Sequence, residues 1–379
     1  SAFGLVYLIY QGRRIKPPRL KPILTGSLSF LAGAALPFAL TCLLFWAAGT
    51  FDRFWFWTFT YARQYVSMVS AAEGWEMFIA TISQIAESAP FLWALAGWGV
   101  AALFIEEKAR ARRFFMGALA IFSFLATTPG LFFRPHYFVL VLPAVSLLIG
   151  VGLSALGRLV SGVSRGAAKV IPAAVMVGAL LGTVYRERPF LFEVDAATAS
   201  RLTYGENPFP ESLKIAQYLR EHTSRRDRVA VVGSEPQIYF YARRRAATGY
   251  IYTYPLMEPH PYAARMQEEM IREIEASRPA YLVFVAIQTS WLARPESPRL
   301  IIDWFRRYSR EFYDLAGVID IKPGGTEYRW GEAAGGYQPG PNSVYVFKRK
   351  VVGGGGKDLP PARRLCHWPL APSPSPPNP

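Results

Sequence analysis

The chain contains little cysteine and little histidine, and both shortages limit its chemistry. Cysteine occurs only at Cys42 and Cys366, which excludes a disulfide framework and a thiolate zinc site. The four histidines lie far apart, at His136, His222, His260 and His367. Because histidine ligands of a metal usually come in groups, this scatter argues against a histidine metal site. No cofactor is identified; a divalent metal stays open, but no ligand set is visible.

A glycine-rich nucleotide motif is also missing where one would be expected. The segment VAVVGSEPQIYFYARR (229–244) reads as strand, turn and helix, yet it contains neither G-x-G-x-x-G nor a P-loop. Backbone amides after its Gly-Ser could hold an anion at the start of the helix. Glu235 and Tyr239 would then face the crevice at the end of the strand, where such folds bind ligands. An ordinary turn of an α/β fold explains the same residues.

Charged residues are rare in several long apolar stretches before residue 186. A helix that crosses a bilayer needs about 20 predominantly apolar residues. Spans are predicted near 1–10, 24–48, 89–105, 114–133, 137–157 and 168–185. Residues 1–186 are therefore predicted to form a multi-pass α-helical membrane domain.

The first stretch, SAFGLVYLIY, is too short to cross a bilayer alone and ends at a basic loop. A signal peptide has its charges before the apolar run, whereas here they follow it. We expect this stretch to be the end of a span that begins earlier, so that the chain is the C-terminal part of a longer membrane protein.

The net charge of +15 is concentrated in alternate loops. Loops 11–23, 106–113 and 158–169 together hold twelve basic and two acidic residues, whereas 49–88 and 134–136 hold three basic and four acidic residues. The positive-inside rule puts the first set in the cytoplasm and the second set outside. This distribution argues against a nucleic-acid partner. It predicts that the chain after residue 185 lies outside. An exported domain without cysteines suits a protein of the bacterial plasma (inner) membrane.

The remaining chain divides into a polar domain and a tail. Residues 187–350 show helices and strands that alternate, which predicts a small extracytoplasmic α/β domain with a partly parallel sheet. The helices are expected at 211–223, 234–245, 262–277 and 298–312, and the strands at 228–233, 279–286, 315–321 and 343–349. The Gly- and Pro-rich residues 351–379 cannot bury a core, so we expect a disordered tail.

Two of the predicted spans, 114–133 and 137–157, form a hairpin joined by only three residues, Arg134-Pro135-His136, and Tyr137 follows this turn. Arginine offers a planar fork of donors for phosphate, and histidine adds a donor that titrates near pH 7. Arg134, His136 and Tyr137 are thus candidates for binding the phosphate of a lipid. The alternative is a snorkelling arginine and an interfacial aromatic residue that serve only the topology.

The outside segment FDRFWFWTFTYARQYVS (51–67) is crowded with aromatic side chains. This composition is typical of a helix that lies in the membrane interface. Arg63 and Tyr65 are candidates for guiding a lipid carrier and meeting its phosphate. The alternative is a simple membrane anchor.

Two runs carry a resemblance to a known family: FRPHYFVLVLPAVSLLIGVGL (133–153) and SLKIAQYLREHTSRRDRVAVVGSEPQIYFYARR (212–244). Over about residues 24–350, the chain resembles the C-terminal half of GT-C-type membrane glycosyltransferases of family 39. That bacterial group is related to protein O-mannosyltransferases and aminoarabinose transferases.

The resemblance implies transfer of a sugar from a polyprenyl-phosphate carrier to a lipid, glycan or protein acceptor on the outer face of the membrane. It places the turn at Arg134, His136 and Tyr137 near the carrier phosphate. The acidic catalytic residue of the family lies in its first outside loop, which we expect to precede this chain, so no catalytic base is assigned. The alternative is a non-enzymatic membrane transporter or scaffold with an exported binding domain. Mid-span charges typical of transporters are nearly absent.

Overall fold

The computed structural model describes residues 2–14, 20–162 and 164–350. The chain divides into two units, Ser1–Glu193 and Val194–Pro379. The predicted disordered tail at 351–379 lies outside the described residues.

Among the described residues of the first unit, three helices are long and apolar enough to cross a membrane: Leu20–Ala47, Pro135–Ser161 and Ala167–Arg186. Each agrees with a predicted span to within about one helical turn. The middle helix is α-helical over Leu142–Ser161, whereas its first residues, Pro135–Val141, wind more tightly as a 3₁₀-helix.

A bent pair of helices, Ala71–Ser88 and Pro90–Ile105, is the fourth candidate span. The two axes differ by 104°. Pro90 disfavours helical geometry at the residue before it, and Ala89 has φ −143°. The predicted span 89–105 corresponds to the second helix alone. The sequence pattern did not predict the first helix, which begins with a capping box of Ser70 and Glu73.

Small residues allow Pro90–Ile105 to pack closely against Leu142–Ser161. A Cβ atom added at Gly99 would lie 2.6 Å from the carbonyl carbon of Leu148, and one at Gly152 would lie 2.9 Å from the Leu95 carbonyl oxygen. The Trp98 indole N–H also donates to the Gly152 carbonyl oxygen at 3.0 Å. Close backbone approach at small residues is typical of helix pairs in membranes.

The predicted span at 114–133 is wrong in its second half. The helix covers Arg113–Leu125, and residues 126–134 form an irregular loop. Pro129 and Gly130 interrupt the apolar run, and neither continues a helix well. The link before the helix Pro135–Ser161 is therefore this loop, and not the three-residue hairpin turn that the sequence predicted.

The shorter elements of the first unit include the predicted interfacial segment. Residues 51–66 are helical throughout, as expected, although their middle part is a π-helix. These shorter elements are Ala2–Arg14, Phe51–Trp55, Phe56–Tyr61, Ala62–Val66, Glu107–Arg110 and the π-helical Pro189–Glu193.

The second unit contains a six-stranded sheet in the order β2-β1-β3-β6-β4-β5. The strands are β1 (Arg228–Val232), β2 (Arg245–Ala246), β3 (Tyr281–Ala286), β4 (Tyr313–Lys322), β5 (Gly325–Trp330) and β6 (Ser343–Arg349). β1 pairs in parallel with β2 and β3, whereas β6 and β5 run antiparallel to their neighbours. The prediction of a partly parallel sheet is confirmed. The sequence missed the two-residue β2 and the polar edge strand β5.

Helices cover both faces of this sheet. They are Ala196–Tyr204, Phe209–Glu221, Gln237–Ala242, Ala263–Ser277 and Leu300–Phe312, joined by short 3₁₀ turns at Tyr254–Leu256, Gln288–Ser290 and Gly331–Ala334. On one face Ile215 and Ile238 pack with Val231 in a fully buried cluster. On the other face the rings of Phe284 and Phe305 stack at 4.4 Å. The four predicted helices are present, and Ala196–Tyr204 is additional.

Candidate functional site

The loop 126–134 has an unusual backbone immediately before the predicted phosphate-binding turn. Gly130, Leu131 and Phe133 have φ angles of 79°, 57° and 41°. Left-handed geometry is easy for glycine but costly for leucine and phenylalanine. Such strain persists only where the surrounding structure holds it, and it concentrates at functional sites.

The helix Ala71–Ser88 holds this strained loop in place. A Cβ added at Gly74 would lie 2.7 Å from the Leu131 Cβ, so only glycine lets the loop approach so closely. The Phe133 ring is buried and lies 5.1 Å from the Phe78 ring. Burial of the Phe133 ring and partial burial of the Leu131 side chain against this helix offset the strain of their backbone.

The structure brings two of the predicted site residues together through Phe132. The Arg134 guanidinium carbon lies 5.4 Å from the centre of the Phe132 ring, on its face. Tyr65 stacks on the same ring, with centroids 4.7 Å apart and planes tilted by 21°. Arg134 remains exposed to solvent and Tyr65 is half-buried. We name this arrangement of Tyr65, Phe132 and Arg134 the aromatic–arginine stack.

His136 and Tyr137 begin the next helix beside this stack. The Tyr137 N–H donates to the Arg134 carbonyl oxygen at 2.9 Å, which turns the chain at Pro135. The His136 and Tyr137 rings meet edge to face at 4.7 Å. His136 is exposed, so its ring nitrogens can reach a ligand, and Tyr137 is half-buried.

Arg63 is exposed on the short helix Ala62–Val66, two residues before Tyr65. It belongs to this region because Tyr65 contacts Phe132. Its predicted role at the same phosphate as Arg134 stays a prediction. Sequence reasoning missed Phe132, since an aromatic residue at the end of an apolar run looked like the last turn of a span.

Electrostatically, the region around the aromatic–arginine stack is suited to an anion beside an apolar chain. Arg134 presents guanidinium donors, His136 adds a ring donor, and Phe132 and Tyr65 form an apolar floor. The part of the chain that the structure describes contains no group of three or more His, Cys, Asp or Glu that could hold a metal ion.

A second candidate lies in the other unit, where β1 and β3 end side by side. The chain leaves β1 toward β2 on one side and leaves β3 toward β4 on the other. Such a switch point is where open α/β sheets usually bind ligands. The Ser234 N–H donates to the Ser290 hydroxyl oxygen at 2.9 Å, and the Ser290 hydroxyl donates to Glu235 Oε2 at 2.9 Å.

These groups at the switch point form a closed polar network and not an open crevice. Glu235 is 2% exposed, and Ser234, Ser290 and Thr253 are buried with it. The Ser234 and Thr253 hydroxyls lie 2.9 Å apart. Burial raises the pKa of Glu235 to about 8, so the carboxyl is mainly neutral at pH 7.

Tyr239 does not face this crevice, contrary to the expectation from the sequence. Its hydroxyl accepts a hydrogen bond from the Val231 backbone N–H at 2.7 Å. β2 pairs only with Arg228 and Val229 of β1, so the Val231 N–H has no strand partner on that side and donates to the Tyr239 hydroxyl instead. Its role is therefore structural.

Comparisons with known proteins add no assignment to either region. No protein-family model matches the chain, and no curated protein matches it significantly.

Proposed function

We propose that this chain is a multi-pass glycosyltransferase of the bacterial plasma membrane. It would transfer a sugar from a polyprenyl-phosphate carrier to a lipid, glycan or protein acceptor on the outer face. The observation that carries the proposal is the aromatic–arginine stack, in which Tyr65 and Arg134 share the Phe132 ring. The resemblance of 133–153 and 212–244 to family 39 supports the same activity.

Two contacts in the first unit are consistent with the proposed topology. Arg158 Nε donates to Glu106 Oε2 at 2.8 Å, and these residues belong to two of the basic loops assigned to the cytoplasm. Tyr65 belongs to the loop 49–88 that is assigned to the outside, and Phe132 lies at the end of the predicted span 114–133 that adjoins the outside residues 134–136. Each contact joins segments of one predicted side. From a cytoplasmic loop 11–23, the α/β unit lies outside when Leu20–Ala47, the bent pair, the shorter Arg113–Leu125, Pro135–Ser161 and Ala167–Arg186 all cross the membrane. The positions of the basic loops favour this alternation.

The proposed chemistry uses Arg134 and His136 on the leaving group. As the bond between sugar and carrier breaks, negative charge grows on the phosphate. A fixed guanidinium at that point stabilises the transition state more than the ground state. The Phe132 and Tyr65 rings hold Arg134 in one orientation and offer an apolar surface to the isoprenoid chain. We assign no residue to activating the acceptor.

The first test measures binding and transfer with Arg134→Ala in the full chain. Removing a donor from a developing anion costs about 10²- to 10³-fold in rate, so envelope glycosylation should fall to near background. Native mass spectrometry with polyprenyl phosphate should show weakened binding. Arg112→Ala removes a cation near the opposite end of the helix Arg113–Leu125 and should change neither.

Normal transfer by Arg134→Ala would overturn the phosphate role. Failure of the unaltered chain to bind polyprenyl phosphate at all would favour the transporter or scaffold alternative.

The second test concerns orientation. Alkaline phosphatase fused at residue 200 should be active, and the same reporter fused at residue 110 should be inactive, because the enzyme matures only outside the cytoplasm. The reverse pattern would overturn the proposed topology.

A further inference from the structure

A basic concavity lies at the edge of the sheet opposite to Glu235, where β1 and β3 begin and β6 ends. Its volume is about 480 Å³, which is within the range of small-ligand sites. The Ala280 N–H donates to the Arg228 carbonyl oxygen at 3.0 Å, and the Arg349 N–H donates to the Ala280 carbonyl oxygen at 2.9 Å. Three strands thus bring residues from distant parts of the chain to one place.

Basic side chains dominate the lining of this concavity. Two of them already have partners: Lys350 Nζ donates to the Arg310 and Glu311 carbonyl oxygens at 2.8 and 3.0 Å, and Arg349 donates to the Tyr313 hydroxyl at 3.3 Å. Four others are exposed and form no ion pair within residues 2–14, 20–162 and 164–350: Arg226, Arg228, Arg278 and Lys348.

The C-terminal ends of two nearby helices offset only part of this positive charge. The helices Phe209–Glu221 and Ala263–Ser277 end at His222 and Arg278, beside the concavity. Each helix C-terminus is equivalent to about half a negative charge. Asp227 adds one more negative charge. Lys350 and Arg349 are bonded to neutral groups and keep their charge, so six cations stand against about two negative charges, and the excess of about four positive charges favours a phosphate group.

Two hydroxyl groups in the lining also await a partner. Tyr281 is 1% exposed, and its hydroxyl forms no hydrogen bond within the described part of the chain; the same holds for the Ser277 hydroxyl. Burial raises the pKa of Tyr281, so its hydroxyl keeps its proton and can donate. Buried hydroxyls are nearly always hydrogen-bonded, which points to a ligand that completes them.

We propose that this basic concavity binds a phosphate-containing anion. Arg226, Arg228, Arg278 and Lys348 supply the charge, and the Tyr281 and Ser277 hydroxyls supply neutral donors. The same chemistry fits a free phosphate compound and the headgroup of an anionic lipid. The proposal is independent of sugar transfer, because none of its residues takes part in the site around Arg134.

The test uses the full chain held in phosphatidylcholine nanodiscs. In one arm, inorganic pyrophosphate is titrated by calorimetry; in the other, phosphatidic acid vesicles are added and co-flotation is measured. The double variant Arg228→Gln, Lys348→Gln should weaken binding about tenfold or more, since hydrogen bonds to charged groups are the stronger class. Arg225→Gln is the matched control: it is exposed in the same turn but does not line the concavity.

Binding in either arm that the double variant loses and Arg225→Gln keeps supports the proposal, and the responding arm identifies the source of the phosphate. Tyr281→Phe should weaken binding several-fold with little change in the melting temperature, because within the described residues the Tyr281 hydroxyl forms no hydrogen bond of normal geometry and interacts with Tyr218 alone. Absence of binding in both arms, or equal binding by all variants, would overturn the proposal.

Discussion

The two units of this chain direct their apolar side chains in opposite ways. On the helix Leu20–Ala47 the apolar residues Leu44 and Trp46 are each 70% exposed, and no residue of that helix is buried. In the sheet of the second unit, Ile319 and Val231 are completely buried. Large apolar side chains are therefore exposed on the surface of one unit and buried in the interior of the other. The second unit makes its own apolar interior, whereas the helix Leu20–Ala47 requires one from its surroundings, as a membrane would provide.

The strongest test of this contrast compares Ile319→Ala in β4 with Leu44→Ala. Removal of a buried isoleucine leaves a cavity and should lower the free energy of unfolding of the second unit by about 2–5 kcal/mol. Leu44→Ala removes an exposed side chain and should cost less than about 1 kcal/mol in detergent. Urea unfolding of the full chain, followed by hydrogen exchange of peptides from each unit, measures both. Equal losses of unfolding free energy in Ile319→Ala and Leu44→Ala would contradict the difference in burial between the two units.

The next test uses the buried carboxyl of Glu235. Its pKa is about 8 in the folded chain against an ordinary value of 4.5. Between pH 4.5 and 8 the folded state keeps a proton that the unfolded state has lost, so stability should fall as the pH rises through this window and level off above it. Glu235→Gln should remove this fall, which is on the order of a few kcal/mol.

The pH dependence is measured as urea midpoints of the full chain from pH 4 to 9. Glu311→Gln replaces an exposed carboxylate of the same unit and serves as the control. A wild-type profile that rises toward pH 8, or one that Glu235→Gln leaves unchanged, would contradict a neutral buried carboxyl.

A third test concerns the close packing of Pro90–Ile105 against Leu142–Ser161 in the first unit. Gly99→Ala would force a Cβ against the backbone at Leu148 and should destabilise the helix pair by about 1–3 kcal/mol. Gly97→Ala meets nothing within 4 Å and should be neutral or slightly stabilising. Thermal aggregation in detergent compares the two; similar behaviour of both variants would contradict the close approach.

The smallest expected effect concerns the start of the helix Ala71–Ser88. The Ser70 hydroxyl accepts the Glu73 N–H, and the Glu73 carboxylate accepts the Ser70 N–H at 2.8 Å. Ser70→Ala should cost about 1 kcal/mol, and Ser70→Asp should restore most of it. Hydrogen exchange of residues 71–78 reports the fraying. No change in Ser70→Ala would show that tertiary packing alone holds this end.

Much of the fold follows from local patterns. Helical periodicity located Ala263–Ser277 and Leu300–Phe312 to within about two residues, and the apolar run YLVFVA located β3. The failures have local causes too. The end of the helix at Leu125 was not predicted, because the run of hydrophobic residues continues past Pro129 and Gly130. β5 was not predicted because an edge strand can be polar and need not contain a run of buried apolar residues.

The candidate sites were predictable only in part. Arg134 and Tyr65 were recognisable from their charge and aromatic surroundings, but Phe132, which joins them, was not. At the switch point, the pattern after β1 indicated Glu235, whereas its partner Ser290 lies 55 residues farther along the chain. A hydrogen bond of that kind depends on which strands become neighbours.

The sequence by itself determined where the apolar runs lie, which loops are basic, and where most of the helices and strands of the second unit lie, because these properties depend on a residue and its near neighbours. Only the tertiary structure decided that Tyr65 meets Phe132, that Ser290 closes over Glu235, and that Arg228 and Arg349 share one concavity. Such contacts come from the packing of whole faces against each other. Local periodicity says which face is apolar, but not which other face it will bury against.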